Sequence, residues 1–563
     1  MEYIFPDYKS FIKCLSKGWV ILLFLCYETV LGQLQITYPT SRMVIQRNNA
    51  NQSVIYIAGN YSQYIDSVQA RMVARPFTPA QGTTTSWNTI QTNLTGGVFY
   101  GSMIVTGGWY DLELRGYFEG QLATSISVER IGVGEVFVIA GQSNASGDLT
   151  LAASGNYGLG SNDDRVSSVN YNKEPTESYH NSVIPSLPFT HLEYNTLLAP
   201  FGVGAWSWGA LGDTLVHKLN VPIAFFNAAW SGSPVHSWSE SANDTSATPA
   251  ALFGWFNYPA GMPYGNLRLT LNNYAAQYGV RAVLWHQGES DNWEETTRDN
   301  YGAWLKNVIE KSRLHSGKPN LTWVVAKATR VKGYQAVNSR IWQPVIDAQK
   351  DVSGANIGSP NYVANVVEGP STDELVGPNI RTMPDSIHFF ENGHRIHAGA
   401  WSNVLNANFF NTVTPYLPEP LPRISAECAT NTALRLTSAN AYDEYIWTNN
   451  STATYGIGTA NQIIIGVGNY ILRVKNSAGN ILFSPSVQVP SSFSGIIPIS
   501  SAATGTWFDT NTWVCGRIPT SLDYVNILPA HTVTIPANNN GNFRKLIMTG
   551  GNINFQSQAV LSK

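Results

Sequence analysis

The stretch "VFVIAGQSNASGD" (Val136–Asp148) runs an apolar segment straight into a glycine, a glutamine, a serine and an asparagine. Apolar strands usually run out into plain turn residues, so a hydroxyl delivered at the tip of one reads as a nucleophile on display. Further along the chain "VPIAFFNAAW" (221–230), "RAVLWHQG" (281–288) and "LTWVVAKAT" (321–329) are apolar runs of the same kind. Between them lie stretches able to be helical, among them "SWGALGDTLVHKL", "YGNLRLTLNNYAAQYG" and "DNYGAWLKNVIEKSRLH". In the last, Trp304, Leu305, Val308 and Ile309 fall on one stripe. Strands alternating with helices predict an α/β domain over 132–415, its parallel sheet covered on both faces.

The flanks have a different texture. From Leu34 to about Arg130, alternating segments such as "QSVIYIAGNY" are separated by Gly, Asn and Pro clusters, which predicts a small all-β unit over 33–131. "PYLPEPLP" (Pro415–Pro422) reads as a stiff linker. Residues 423–490 carry a Trp on an early strand and a Tyr on a late one, the pattern of an Ig-like β-sandwich. Residues 500–563 are expected to form another β-rich, sandwich-like module, which stops at Lys563 without an obvious closing element, as a piece of a longer chain would.

Composition narrows the function. Of the 563 residues 13 % are charged and the net charge is −3, which leaves no electrostatic footprint for nucleic acid and no polybasic run for a membrane surface. Neutral, hydroxyl-rich partners fit better. Lys9, Lys13 and Lys17 precede the apolar run "WVILLFLC" (Trp19–Cys26), and "VLG" follows, so residues 1–32 read as a secretory signal cut near Gly32. The run is short for a membrane span and Glu28 follows it closely. A lipid anchor on Cys26 would want a smaller neighbour than Phe24 or Leu25. The chain is therefore expected to be secreted or held at the cell surface. Cys428 and Cys515 remain, in different predicted modules, so no disulfide is expected to hold the protein together.

Ser143 needs a base, a group to orient that base, and donors for the oxyanion. In an open α/β sheet the loops after the strands meet at one crevice, so "GQSN", "NAAWSGS" and "HQGES" are expected together. The N–H groups of Ser143 and Gly232 are natural oxyanion donors, with a side-chain amide from Gln287 or Asn144 as a third. For the base, Asp385 stands three residues before His388, close enough for carboxylate and imidazole to meet. Glu391 and His394 repeat that spacing; Pro384, which can rigidify the approach, favours the first pair.

"GQSNASG" (Gly141–Gly147), "NAAWSGSPVHSW" (Asn227–Trp238), "WHQGESD" (Trp285–Asp291) and "DSIHF" (Asp385–Phe389), in that order, resemble the sialate O-acetylesterase-like branch of the SGNH hydrolase superfamily, over roughly 95–410. The resemblance implies a three-layer α/β/α catalytic domain that removes acetyl groups from carbohydrate hydroxyls without metal or cofactor. Ser143 would be the nucleophile, Gly232 an oxyanion donor, and Asp385 with His388 the acid–base pair. Ser290 stands where that superfamily's Gly-x-Asn block would have its asparagine, so Gln287 is taken as the third donor; its amide donates where an ionised Glu289 cannot. Gln142, Asn144, Glu289 and Trp238 are expected to face the substrate.

Competing readings have less support in the sequence. Ser143 alone would more often close a turn; its company argues otherwise. Of Trp230, Trp238, Trp285 and Trp293, two are expected in the core and the rest suit stacking on sugars. Glu289 and Asp291 would make a glycosidase carboxylate pair, yet "ESDNWEE" reads as an acidic helix start. His394 and His397 lack a third zinc ligand at convincing spacing. The function class that competes with an esterase is an inactive carbohydrate-binding or surface-attached protein, which has little reason to keep Ser143, His388 and Asp385 together. The C-terminal modules suit attachment to a polysaccharide or a cell surface under either reading.

Overall fold

Alternation with period two sorts the apolar residues of the central strands onto two faces of one sheet. The computed structural model describes residues 34–148, 158–172, 178, 184–332, 339–356, 358–377, 379–381, 387–450, 452 and 454–563. The expected signal sequence over 1–32 lies outside the described residues. The central strands are Gln121–Gly141 (β1), Val166–Val169 (β2), Phe189–His191 (β3), Ile223–Asn227 (β4), Ala282–His286 (β5), Trp323–Lys327 (β6) and Val366–Ser371 (β7), hydrogen-bonded in the order β3-β2-β4-β1-β5-β6-β7. All run parallel except the edge strand β3. Phe137 and Ile139 of β1, Phe225 of β4, Leu284 of β5 and Val324 of β6 face one buried cluster; Val138, Phe226, Trp285 and Val325 face the other.

Helices cover both faces. After the single turn Ser143–Ser146 (α1) come Trp208–Leu219 (α2), Val235–Asn243 (α3), Glu289–Trp293 (α4), Arg298–Ser316 (α5), Gln343–Ser353 (α6) and Asn392–Val404 (α7). Trp208 and Leu211 of α2 and Trp401 of α7 pack with Phe137. On the other face Trp238 of α3, Leu305, Val308 and Ile309 of α5 and Val345 of α6 pack with Val138 and Trp285. Thr297 caps α5 by accepting from the Asn300 N–H, and Gly317 ends it at φ 65°.

This strand order positions the site. From β1 the chain crosses to one side for β2 to β4 and then to the other side for β5, so the order reverses at β1, where ligands of such sheets bind. Asn227 lies level with Ile139 and His286 level with Gly141, which brings three strand ends together.

The flanking regions are more tightly joined than the sequence implies. The expected boundary at 131/132 falls inside β1, a single strand of 21 residues whose first half pairs with Gly108–Phe118. At the join, Val44–Gln46 pairs in parallel with Gly132–Gly134. The buried Glu135 carboxylate accepts from Arg281 Nε and Nη2, Arg47 Nε and Gln46 Nε2 at 2.7–2.8 Å. The proline-rich linker is docked rather than free, with Tyr416 and Val280 exchanging backbone bonds and the Glu419 N–H bonded to Ala276 O.

Past the linker, residues 424–489 form two antiparallel sheets, with Trp447 buried between them. The last module differs from the sandwich-like expectation. Its strands pair in parallel, Tyr524 beside Lys545, Thr532 beside Asn552 and Asn540 beside Val560, coil upon coil. Short alternating strands look alike in sequence whether their partners run parallel or antiparallel. The cysteine expectation is also corrected, because Cys428 and Cys515 form a disulfide between the two modules, Cα–Cα 5.1 Å. Their separation of 87 residues hides the contact in sequence. Opening that loop removes roughly 4 to 5 kcal/mol by chain-entropy arithmetic. A melt with reductant should therefore show the C-terminal modules unfolding at lower temperature than without it, and superimposable melts would contradict the bridge.

Candidate active site

The serine sits on a turn that only glycine permits. Gly141 has φ +129°, and a Cβ there would lie 2.0 Å from His286 O. Gln142 follows, its N–H donating to His286 O at 3.0 Å. Its side-chain Oε1 accepts from the N–H groups of Gly288 and Ser290 and from Gln287 Nε2, at 3.3, 3.1 and 3.3 Å. The Gln142 Nε2 is left without an acceptor among the described residues.

Ser143, first residue of α1, has its Oγ 2.8 Å from His388 Nε2. The carboxylate of Asp148, a residue that sequence reasoning missed, lies 3.5 Å from the same nitrogen. The loop carrying His388 is held from both sides. Asn144 donates to Ile387 O at 3.1 Å and accepts from the Phe389 N–H at 3.2 Å, while its other contact is the Glu289 carboxylate at 2.8 Å. Arg381 donates to Ile387 O, to Thr372 O and to Leu375 O, and its guanidinium lies 4.4 Å over the Phe389 ring. Asp385 lies outside the described residues.

Behind the serine is a buried polar network. Glu289 accepts from Asn144 and faces His286 Nε2 at 3.3 Å. Burial alone would raise the Glu289 carboxyl, but the His286 bond and charge and the Asn144 bond outweigh it and hold it at about 2. Burial pushes the Asp291 carboxyl up to about 6 against the bonds it receives from Gln287, the Val235 N–H and Thr296.

Several expected substrate contacts turn inward. Gln287 is fully buried; its amide donates to Gln142, Ser233 O and Asp291, and its Oε1 accepts from Tyr301. Both N–H groups of that amide are taken up inside the protein, which leaves none for the third donor expected of it. Asn144 and Glu289 are buried and engaged with each other. Trp238 is a core residue, its Nε1 bonded to Ser233 and its ring edge-on to Trp285 at 5.2 Å. Trp285 is likewise fully buried, whereas Trp230 and Trp293 are half-buried. In each case the motif gave the residue type but not the direction of its side chain. Gly232, at φ +69°, has nothing within 4 Å of where a Cβ would be, and its N–H and that of Ser143 have no acceptor among the described residues.

His394 and His397 are enclosed by other side chains. His397 accepts from Trp401 Nε1 at 2.9 Å, meets His286 Nδ1 at 3.1 Å and stacks on Phe389, while His394 bonds Ser207 beside Trp206. Burial pushes His394 down to about 4 and His397 well below the usual imidazole range. Among the described residues no cluster has the makings of a metal site.

The depressed Glu289 carboxyl stabilises the fold above its ordinary value near 4.5, and that contribution disappears as pH falls toward about 2. The Glu289→Gln variant should lack this acid limb in stability-against-pH curves. It should also be destabilised near neutrality by roughly 1 to 3 kcal/mol through the loss of a charged acceptor. Identical acid limbs in variant and parent would contradict the network.

Residues 133–367 match a family profile described as carbohydrate esterase, sialic acid-specific acetylesterase. Among solved structures, the chain is similar to a carbohydrate acetylesterase from Xanthomonas citri at 15 % identity, covering 82 % of this chain and 99 % of that one, TM-score 0.39. It is also similar to a protein from Arabidopsis thaliana at 14 % identity, covering 50 % and 98 %, TM-score 0.31. No curated protein matches. The segment matched by that profile carries Ser143, Gly232 and the Gln287–Asp291 block, and it ends before His388.

Proposed function

We propose that the protein is an exported carbohydrate O-acetylesterase that works through an acyl-enzyme on Ser143. The observation that carries this reading is the 2.8 Å approach of His388 Nε2 to Ser143 Oγ at the reversal point of the sheet. His388 takes the hydroxyl proton as Ser143 Oγ attacks the acetyl carbonyl carbon. The oxyanion is received by the N–H groups of Ser143 and Gly232 and by Gln142 Nε2. When the intermediate collapses, the bond from the carbonyl carbon to the sugar oxygen breaks, and His388 returns the proton to that oxygen. Water, activated by the same imidazole, then releases acetate and restores the serine. Asp385 is assigned to the far nitrogen of His388, and Asp148 lies within ion-pair reach of the imidazolium. Export rests on residues 1–32 and attachment to a polysaccharide or a cell surface on the modules after Pro422, both as read from the sequence.

The test is acetate release by the full chain from an aryl acetate and from acetylated glycans. Ser143→Ala should lower kcat at least about a thousandfold, as removal of a triad nucleophile does. Gln142→Ala should lower it roughly 100- to 1000-fold and, by freeing the three donors that its Oε1 accepts, should also lower the melting temperature. Gln287→Ala should act mainly on stability. Activity that survives Ser143→Ala would overturn the reading.

A further inference from the structure

A short loop near the site holds three aromatic side chains out in water. Phe253, Trp255 and Phe256 are 52, 72 and 49 % exposed. The backbone under them is built, not loose, with the Gly254 N–H bonded to Ala251 O, Trp255 N–H to Leu252 O, Ala251 N–H to Phe256 O and Tyr258 N–H to Pro249 O at 2.7–3.2 Å. Phe253 sits at φ +54°, a region costly for a bulky side chain, and its N–H donates to Glu294 Oε1. Grouped apolar exposure held out by such a loop marks a binding surface.

Tyr258 connects this surface to the reaction centre. Its buried ring meets Phe256 edge-on at 5.3 Å on one side and Trp230 at 5.3 Å on the other, and its hydroxyl is 3.5 Å from Gly232 O. The exposed rings are thus one aromatic ring away from the Trp230–Gly232 loop, whose Trp230 N–H donates to Gly141 O two residues before Ser143. Among the described residues the charged group bonded to the loop is acidic, Glu294, paired with His236 at 3.1 Å. The Glu294 carboxylate bonded to the loop disfavours a carboxylate-bearing sugar, whereas the C–H face of a neutral pyranose stacks well on such rings. Three half-exposed rings offer on the order of 300 Å². That is far below the roughly 800 Å² per partner of a stable protein interface.

We infer that Phe253, Trp255 and Phe256 form a stacking platform for a neutral pyranose unit of an oligo- or polysaccharide whose neighbouring unit presents its acetyl ester to Ser143. This rests on the esterase reading above and names its substrate class. The test compares the full chain with Trp255→Ala and Trp255→Tyr on 4-nitrophenyl acetate, acetylated cellotetraose and an O-acetylated sialic acid. Trp255→Ala should lower kcat/KM on acetylated cellotetraose about tenfold, chiefly through KM, as loss of one stacking contact does. It should leave 4-nitrophenyl acetate within about twofold, and Trp255→Tyr should recover most of the loss. The parent should prefer acetylated cellotetraose to the anionic sugar. Equal losses on both neutral substrates, no loss on the oligosaccharide, preference for the sialic acid, or a dimer dissolved by Trp255→Ala in sedimentation would each overturn the platform. Ser143-dependent hydrolysis of 4-nitrophenyl acetate alongside any of these would leave the esterase reading standing. Hydrolysis independent of Ser143 would remove both.

Discussion

One buried side chain, the carboxamide of Asn144, holds the site together. It grips the peptide groups on either side of His388, donating to Ile387 O and accepting from the Phe389 N–H, and is itself held by Glu289. Ser143 is its neighbour in sequence, so the serine and the histidine are registered through a single residue fixed to both. A buried amide with its bonding capacity so used is expensive to disturb, because each freed group would be left unpaired away from water. Arg381 repeats the restraint from the other side of the loop.

The sheet supplies what this device requires. Gly141 permits the turn that presents Ser143, and Gly288, at φ +147°, lets the chain pass so close to Ala328 O that a Cβ would lie 2.0 Å from it. Between those two glycines the side chain of Gln142 crosses from β1 to the loop after β5 and ties them together. The low Glu289 and high Asp291 carboxyls belong to this scaffold. Both are fully enclosed, and their opposite shifts follow from different neighbours, a histidine for one and neutral donors for the other.

Much of the sheet was legible because alternation within an apolar run survives burial on both faces, as Phe137 against Val138 illustrates. The meeting of Ser143 and His388 is less legible, because His388 follows β7, which β5 and β6 separate from β1 in the sheet, and only the spacing to Asp385 and the resemblance single it out. Which way a polar side chain points was not legible. Gln287 and Gln142 are the same residue type in neighbouring loops, and only the packing of Tyr301 and Asp291 around Gln287 decides that it faces inward. Trp238 was misplaced for the same reason. The boundary at 131/132 was drawn at a change of texture that the backbone crosses without a break, and the Cys428–Cys515 bridge depends on how two modules pack, which no local pattern encodes.

The claim on which all of this rests is that His388 activates the hydroxyl of Ser143. Treating the full chain with a fluorophosphonate and locating the adduct by mass spectrometry tests it directly. The expected result is a single phosphonylated residue, Ser143, with labelling lost in His388→Ala. An adduct on a different residue, or an undiminished labelling rate without the imidazole, would contradict it.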